Sequence, residues 1–399
     1  MTSVIGLFKR IYTLANPPKA DVSAEAGSPI KFGILGAANI APPALTNPAI
    51  SHPEVEIYAV AARDEKKAQQ FAKKHGIAKF YGGKDGYQKL LDDPEVEVVY
   101  NPLPNGLHYE WTMKALAAGK HVLLEKPSCD TAEETRRVFE FAEKKGLVVL
   151  EAFHFRFHPA IQRVKQIIDS GEIGTVKETY ASLVMPGGVI KDDDIRFQYD
   201  LGGGSLMDMG CYTLMCTRYL LGTNPSAVVS ATAKRFSGDN RVDVGTTAEL
   251  TFPAPAGSDS SEPIKSKIHC DFKDPKYFGI IPRVPDISVR VTGTEGSVEL
   301  YNFVMPTLYH HLTVRPTGKG KKTRTEKVYK FADGTRCEEW WSTYRLQLEA
   351  LVHRLRGRTP QTWVEPQDSI DNILWIEKVY EATGLGSRPP SSFVLPESA

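Results

Sequence analysis

Residues 31–41 read KFGILGAANIA: a short apolar run closed by Gly36, then a turn of small residues that opens into the next segment. Outward from it the same pattern repeats. EIYAVAA (56–62), VEVVYNPLP (96–104), KHVLLEKP (120–127) and LVVLEAF (147–153) are further apolar runs. Between them lie EKKAQQFAKKHG (65–76), DGYQKLLDD (85–93), HYEWTMKALAAGK (108–120) and AEETRRVFEFAEKKG (132–146), each charged on one face and mostly ended by glycine. Continuous apolar strands alternating with helices require a parallel sheet covered on both faces. A doubly wound α/β, Rossmann-type dinucleotide-binding domain is therefore expected over 31–152.

After the helical stretch FHPAIQRVKQIIDSGEIG (157–174) the period changes to two. VKETYASLVM (176–185), AVVSATAKRF (227–236), TTAELTF (246–252), SKIHCDF (266–272), DISVRVTG (286–293), SVELYN (297–302), LTVRP (312–316) and EKVYKFA (326–332) alternate apolar with polar residues. That pattern predicts a large, mainly antiparallel open sheet in an α+β domain over 153–385. PAPAGSDSSEP (253–263) reads as a hairpin loop, and KGKKTR (319–324) as a solvated basic turn in preference to a polyanion site. Two C-terminal helices, 343–357 and 368–384, are expected to pack back on the first domain, followed by a tail at 386–399. At the other end, residues 1–30 read as a helix and linker. Val4, Leu7, Phe8, Ile11 and Leu14 recur at helical spacing before Pro17 and Pro18, and residues 19–29 are small and polar. Either a packing helix or a membrane-surface or targeting helix fits the first stretch.

Two domains suit a chain of 399 residues. With 49 Lys and Arg against 48 Asp and Glu, the net charge of +1 offers no field for nucleic acid or an anionic membrane. The five cysteines, Cys129, Cys211, Cys216, Cys270 and Cys337, follow neither disulfide-framework nor zinc spacing and read as reduced thiols. No apolar run reaches the roughly 18 to 20 residues of a membrane span. Nor does the N-terminus have a cleavable leader's layout, so a cytoplasmic location is expected.

The turn Gly36-Ala37-Ala38-Asn39-Ile40-Ala41 departs from G-x-G-x-x-G, with Ala38 at the middle glycine and Ala41 at the last. In its place after the first strand it suits a pyrophosphate at a helix N-terminus; an ordinary tight turn is the competing reading. The second strand ends Ala61-Ala62-Arg63, where an NAD-preferring domain would place an acidic residue on the ribose, about twenty residues after the turn. Arg63, with Lys66 and Lys67 beyond it, favours NADP over NAD, although a solvated arginine beside Asp64 also fits. Ligands on such sheets bind at the carboxyl ends of strands. Asn101-Pro102-Leu103-Pro104-Asn105-Gly106-Leu107-His108 and Glu125-Lys126-Pro127 should therefore lie over the nicotinamide half, with Lys126 as candidate acid, base or electrostatic stabiliser. Downstream, Asp208 and Tyr212 are four apart in a helix entered through Gly202-Gly203-Gly204 and can share a face. Taken alone, without the upstream motifs, Tyr212 reads as a helix-packing aromatic.

Read in order, Gly-Ala-Ala-Asn-Ile-Ala, Pro104-Asn105-x-x-His108, Glu125-Lys126-Pro127, Arg156-Phe157-x-Pro159 and Asp208-x-Gly210-x-Tyr212 resemble the glucose-fructose oxidoreductase, inositol dehydrogenase and rhizopine catabolism (Gfo/Idh/MocA) family. Within it, the branch of NADP-dependent D-xylose 1-dehydrogenases and dimeric dihydrodiol dehydrogenases is nearest, since Tyr212 stands where many members carry histidine. The resemblance covers roughly 31–385 and leaves out the first 30 residues. It implies an oxidoreductase in which Tyr212 takes a proton from a sugar or polyol hydroxyl while hydride passes to the nicotinamide. Lys126 would lower the Tyr212 pKa, and Asp208, His154 and Arg156 would contact substrate. Cofactor contacts would come from Gly36, Ala38, Asn39, Ile40, Arg63, Lys67, Pro102, Leu103, Asn105, His108, Glu125 and Lys126. A homodimer through the open sheet is also implied, with no nucleic-acid, membrane or metal partner. A non-catalytic dinucleotide sensor and a keto-sugar or aldehyde reductase holding its cofactor tightly are the alternatives. Three rival patterns point to structure: His310 and His311 face opposite ways in a strand, Asp192-Asp193-Asp194 lacks the spacing of a calcium loop, and Cys211 and Cys216 are not at C-x-x-C spacing.

Overall fold

A computed structural model describes residues 4–20, 27–254, 261–275, 278, 280–281 and 283–396. The centre of the 253–263 loop, much of the 19–29 linker and parts of 276–282 lie outside the described residues. Two compact units emerge: Met1–Phe157, Cys337–Pro366 and Pro390–Ala399 form the first, and His158–Arg336 with Gln367–Pro389 the second.

The first unit is built on six parallel strands: β1 (Ile30–Leu35), β2 (Val55–Ala62), β3 (Lys79–Gly82), β4 (Val98–Asn101), β5 (His121–Leu124) and β6 (Val149–Glu151). Their order, β3-β2-β1-β4-β5-β6, is that of the doubly wound dinucleotide fold, with its switch point between β1 and β4. Leu35, Val99, Val122 and Leu124 are fully buried, which is why these strands read as unbroken apolar runs. Strand β3 was not anticipated. It is an edge strand with Lys79 and Phe80 exposed, so it lacks that apolar signature.

Helix α1 (Val4–Ala15) precedes β1; its Phe8 and Ile11 stay exposed while Arg10 is buried, so the apolar stripe does not form the docked face. Two short helices, α2 (Asn47–Ile50) and α4 (Gly86–Leu91), and the longer α3 (Glu65–His75), α5 (His108–Ala117) and α6 (Ala132–Lys145) complete the crossovers. Thr131 and Glu134 close a capping box at α6, and Glu134 Oε1 also accepts the Ser391 amide at 2.6 Å. Within the expected 386–399 tail, the described residues 386–396 are therefore anchored to the body of the protein. Phe393 packs edge-on against Tyr109, and Arg388 is buried in the second unit.

The second unit contains α7 (Pro159–Asp169), α8 (Cys211–Leu221) and an eight-stranded sheet. Its strands are β7 (Val176–Pro186), β8 (Ala227–Arg235), β9 (Asp243–Phe252), β10 (Ile264–Asp274), β11 (Asp286–Gly293), β12 (Gly296–Tyr301), β13 (His311–Pro316) and β14 (Arg324–Glu326). They run β14-β13-β12-β11-β7-β10-β9-β8, with β7 and β10 the parallel pair. The strand expected at 326–332 is instead β14 at the sheet edge, which starts at the last residue of the basic segment and ends at Glu326. Beyond Glu326 the chain leaves the ladder: the Val328 amide donates to His310 Nε2 at 2.9 Å and the Tyr329 ring lies 4.6 Å from that imidazole. Of the C-terminal helices, α9 (Thr343–Leu355) belongs to the first unit, but α10 (Pro366–Thr383) lies almost wholly in the second. There Asn372 donates to the Cys211 carbonyl at 3.1 Å, and Arg218 pairs with Asp371.

Candidate active site

In the first unit the carboxyl ends of the strands carry the candidate residues. Gly36 adopts φ of +94°, open to glycine at little cost, and its amide donates to the Ala61 carbonyl at 2.7 Å. A Cβ there would stand 3.2 Å from Leu103 Cδ2, so the turn after β1 and the loop after β4 are in close contact. Ala37 and Ala38 are half-buried, and Asn39 and Ile40 face outward. The following turn is a wide π turn, Pro42–Thr46, with proline at its start. Pro42 and Pro43 carry no N–H, so backbone donors for an anion lie earlier, in Ala37–Ile40.

Arg63 is exposed at the end of β2, and its neighbour Asp64 caps α3 through the Lys67 amide at 3.1 Å. Lys66 and Lys67 are exposed in the same first turn. Arg63 also stands close enough to Tyr87 to favour its phenolate, although burial prevails and raises the Tyr87 pKa. Three cations at a helix N-terminus suit a phosphate ester.

His108 sits elsewhere than its assignment among the cofactor contacts suggests. It is fully buried, with Nδ1 2.8 Å from the Pro127 carbonyl and Nε2 2.7 Å from that of Leu103. Burial lowers its pKa to about 4, aided by Lys126 and against the pull of those carbonyls. It thus braces two loops together. Glu125 is likewise buried, accepting the Tyr100 hydroxyl at 2.6 Å on Oε1. Pro102 and Leu103 are buried, whereas Asn105 and Lys126 are half-buried.

His154 is buried against Tyr344, ring centroids 4.0 Å apart, with Nδ1 2.8 Å from Thr343 Oγ1. Burial, then the charge of Lys126, pulls its pKa down to about 3. Arg156 is buried too, its Nη2 donating to the Trp363 carbonyl at 3.0 Å. That contact gives its guanidinium a role in the fold.

The second unit carries the other set. The chain enters α8 through a π turn at Leu206–Gly210, and Tyr212 is buried in the first turn of the α-helix. Gly210 is needed for packing: a Cβ would come within 2.5 Å of Leu206 Cδ1 and 3.2 Å of Cys270 Sγ. Asp208 is half-buried, and Oδ2 accepts the Arg196 Nε at 2.9 Å. Sequence reasoning missed Arg196, Asp243 and Arg388, the last two an ion pair under this glycine-rich entry.

All five cysteines are buried and unbridged. Among the described residues no group of three or more His, Cys, Asp or Glu could hold a metal ion, and no helix is long and apolar enough to cross a membrane.

Comparison with known proteins accords with this geometry. Residues 30–153 match the oxidoreductase family NAD-binding Rossmann fold and residues 161–299 the GFO/IDH/MocA C-terminal domain. A D-xylose 1-dehydrogenase (NADP(+)) of Haloferax volcanii is 34% identical over 362 residues, 89% of this chain and 98% of that protein. A trans-1,2-dihydrobenzene-1,2-diol dehydrogenase of Xenopus tropicalis is 33% identical over 56% of this chain and 65% of its own. A 3-ketoreductase from Actinomadura kijaniata, solved with NADP and TDP-benzene, superposes with a TM-score of 0.73 at 26% identity, covering 89% of this chain and 98% of that one. The chain is a two-domain dinucleotide-fold oxidoreductase. It belongs to the Gfo/Idh/MocA family.

Proposed function

We propose that this protein is an NADP-dependent oxidoreductase that transfers hydride between the nicotinamide and a hydroxyl-bearing carbon of a sugar or related cyclic polyol. The foremost reaction is oxidation of an aldose at its anomeric carbon to the lactone. Lys126 carries the reading: it is half-buried just past the carboxyl end of β5, in the segment whose Pro127 carbonyl is bonded by the buried His108. A cation at that position can stabilise negative charge developing on a substrate oxygen. Similarity along nearly the whole length of the Haloferax xylose dehydrogenase supports the substrate class.

The residues present fit NADP. The positive-φ turn at Gly36 leaves the backbone of Ala37–Ile40 open to a pyrophosphate, and Arg63 with Lys66 and Lys67 suits the 2′-phosphate. When bound, the nicotinamide supplies the hydride chemistry; the protein supplies placement and charge. Tyr212 takes the hydroxyl proton, and Asp208, oriented by Arg196, accepts hydrogen bonds from neighbouring hydroxyls. Reduction of a keto-sugar is the same chemistry in reverse, and the likeness to a 3-ketoreductase favours testing both directions. Five buried, unbridged thiols accord with a cytoplasmic location.

The protein is further proposed to be a homodimer through the open face of the second sheet. One transverse row there runs Glu299, Arg290, Tyr180, Lys267 and Glu249, each paired with the next across a strand. In this row two cations flank Tyr180 and a glutamate stands at each end, and arginine with tyrosine suits a specific interface.

The test is an assay of aldoses, inositols and dihydrodiols with NADP and NAD, repeated with Tyr212→Phe. NADP-linked turnover is expected, and the substitution should lower kcat by about 10²- to 10⁴-fold with cofactor affinity unchanged. Near wild-type kcat in Tyr212→Phe overturns the assignment.

A further inference from the structure

Asp243, the first residue of β9, has a side chain with no exposed surface, as does its partner Arg388. Its carboxylate accepts five hydrogen bonds. Oδ1 takes Arg388 Nη2 at 2.9 Å and the Tyr380 hydroxyl at 2.8 Å. Oδ2 takes Ser205 Oγ at 2.7 Å, the Leu206 amide at 2.8 Å and Thr246 Oγ1 at 2.7 Å. From the other side, Arg388 Nε donates to the Gly203 carbonyl at 2.6 Å and Nη2 to the Tyr380 oxygen at 2.8 Å. Burial raises the Tyr380 pKa well above its ordinary value, so the phenol keeps the proton it gives to Asp243.

These contacts converge on Gly203–Leu206, the strand of backbone that leads into the helix bearing Asp208 and Tyr212. Gly204 has φ of +137°, and a Cβ on it would lie 2.3 Å from Asp243 Oδ1 and 2.4 Å from Arg388 Nη2. The glycine lead is thus fitted against the ion pair with no room for a methyl group. Asp243 takes the amide of Leu206, the first residue of the π turn, and so caps that turn with a fixed negative charge. A buried ion pair is weak evidence for stability, since apolar replacements of similar volume are often as stable. What this one supplies is a fixed geometry for the helix start.

We propose that Asp243, Arg388 and Tyr380 form a positioning device that sets the orientation of Asp208 and Tyr212 for catalysis. The proposal rests on the reading of Tyr212 as the proton-transfer group. A small misplacement of a reacting group can cost up to about a hundredfold in rate, so the device should show in turnover and not only in stability.

The experiment uses the full-length enzyme with NADP and its best sugar. Ser205→Ala removes the hydroxyl's bond to Asp243 and Tyr380→Phe removes two, one to Asp243 and one from Arg388, while both keep the ion pair, so they retain the fold if Asp243→Asn does not. Both are expected to lower kcat about tenfold, to displace the midpoint of the kcat–pH profile, and to leave NADP affinity within about twofold of wild type. Arg388→Lys, which keeps the charge but not the fork, should retain more kcat than Arg388→Met. Variants that lose thermal stability yet keep wild-type kcat and pH profile overturn the proposal. Tyr212→Phe is run beside them: if it loses activity while they do not, the positioning role alone fails. If Tyr212→Phe keeps its activity, the underlying reading fails and the proposal with it.

Discussion

Asp208 and Arg196 are joined side chain to side chain, carboxylate Oδ2 to guanidinium Nε at 2.9 Å, and Arg196 Nη1 reaches on to Asp194 at 3.0 Å. The carboxylate proposed to contact substrate is therefore held by a residue of the preceding loop. Arg196→Met should raise KM for the sugar about tenfold, roughly the loss of one charge-assisted hydrogen bond, and leave NADP affinity unchanged. Steady-state kinetics with a separate cofactor titration check this; an unchanged KM would detach Arg196 from substrate binding.

Arg63→Ala addresses cofactor choice. Loss of a guanidinium from a phosphate ester should weaken NADP binding by about 10- to 100-fold and barely affect NAD. Fluorescence titration with both dinucleotides measures the ratio, and equal losses for the two would remove Arg63 from 2′-phosphate recognition.

Acid sensitivity follows from three buried imidazoles of the first unit. Burial lowers the pKa of His52 to about 3, of His108 to about 4 and of His154 to about 3, against 6.5 for an unperturbed histidine. At His52, burial and then Arg345 outweigh the carboxylate of Glu349 that lies 3.3 Å away. A group with a depressed folded pKa binds its proton only when unfolded. Its stabilisation is complete above pH 6.5 and is lost as pH falls from there toward 3 to 4, by about 1.4 kcal/mol per pH unit for each histidine. Thermal melts should show Tm falling steadily between pH 6.5 and 5, and His108→Gln should flatten that slope; a pH-independent Tm would contradict the neutral assignment.

The open-face row predicts charge-dependent association. Arg290 and Arg315 both reach Glu299 Oε2, at 3.2 Å and 2.7 Å, so Arg290→Glu sets two carboxylates side by side within the row. Light scattering should report a dimer for the wild type and a monomer for Arg290→Glu, with Tm nearly unchanged. A wild-type monomer at micromolar concentration would end the dimer proposal.

The central strands and the turn at Gly36 were legible because buried parallel strands are apolar along their whole length and a positive φ calls for glycine. Strand β3, half solvated at an edge, carries no such mark. The strand expected at 326–332 alternates as a strand should, yet its amide at Val328 is taken by a histidine side chain. The bracing by His108 was not legible, because both of its partners are backbone carbonyls that no sequence motif marks. Asp243 and Arg388 were invisible for another reason: 145 residues separate them, and neither belongs to a local motif.

The chain enters the first unit three times, at Met1–Phe157, Cys337–Pro366 and Pro390–Ala399. On the ribosome that unit cannot be completed when its sheet emerges. At about 5 to 20 residues per second, roughly ten to fifty seconds pass between the end of β6 and the arrival of Ser391 and Phe393 on α6 and Tyr109. Until then the surface these residues cover stays open to water. The nascent protein thus has a vulnerable interval set by the order of its segments, and cutting the gene after residue 157 would make that interval permanent.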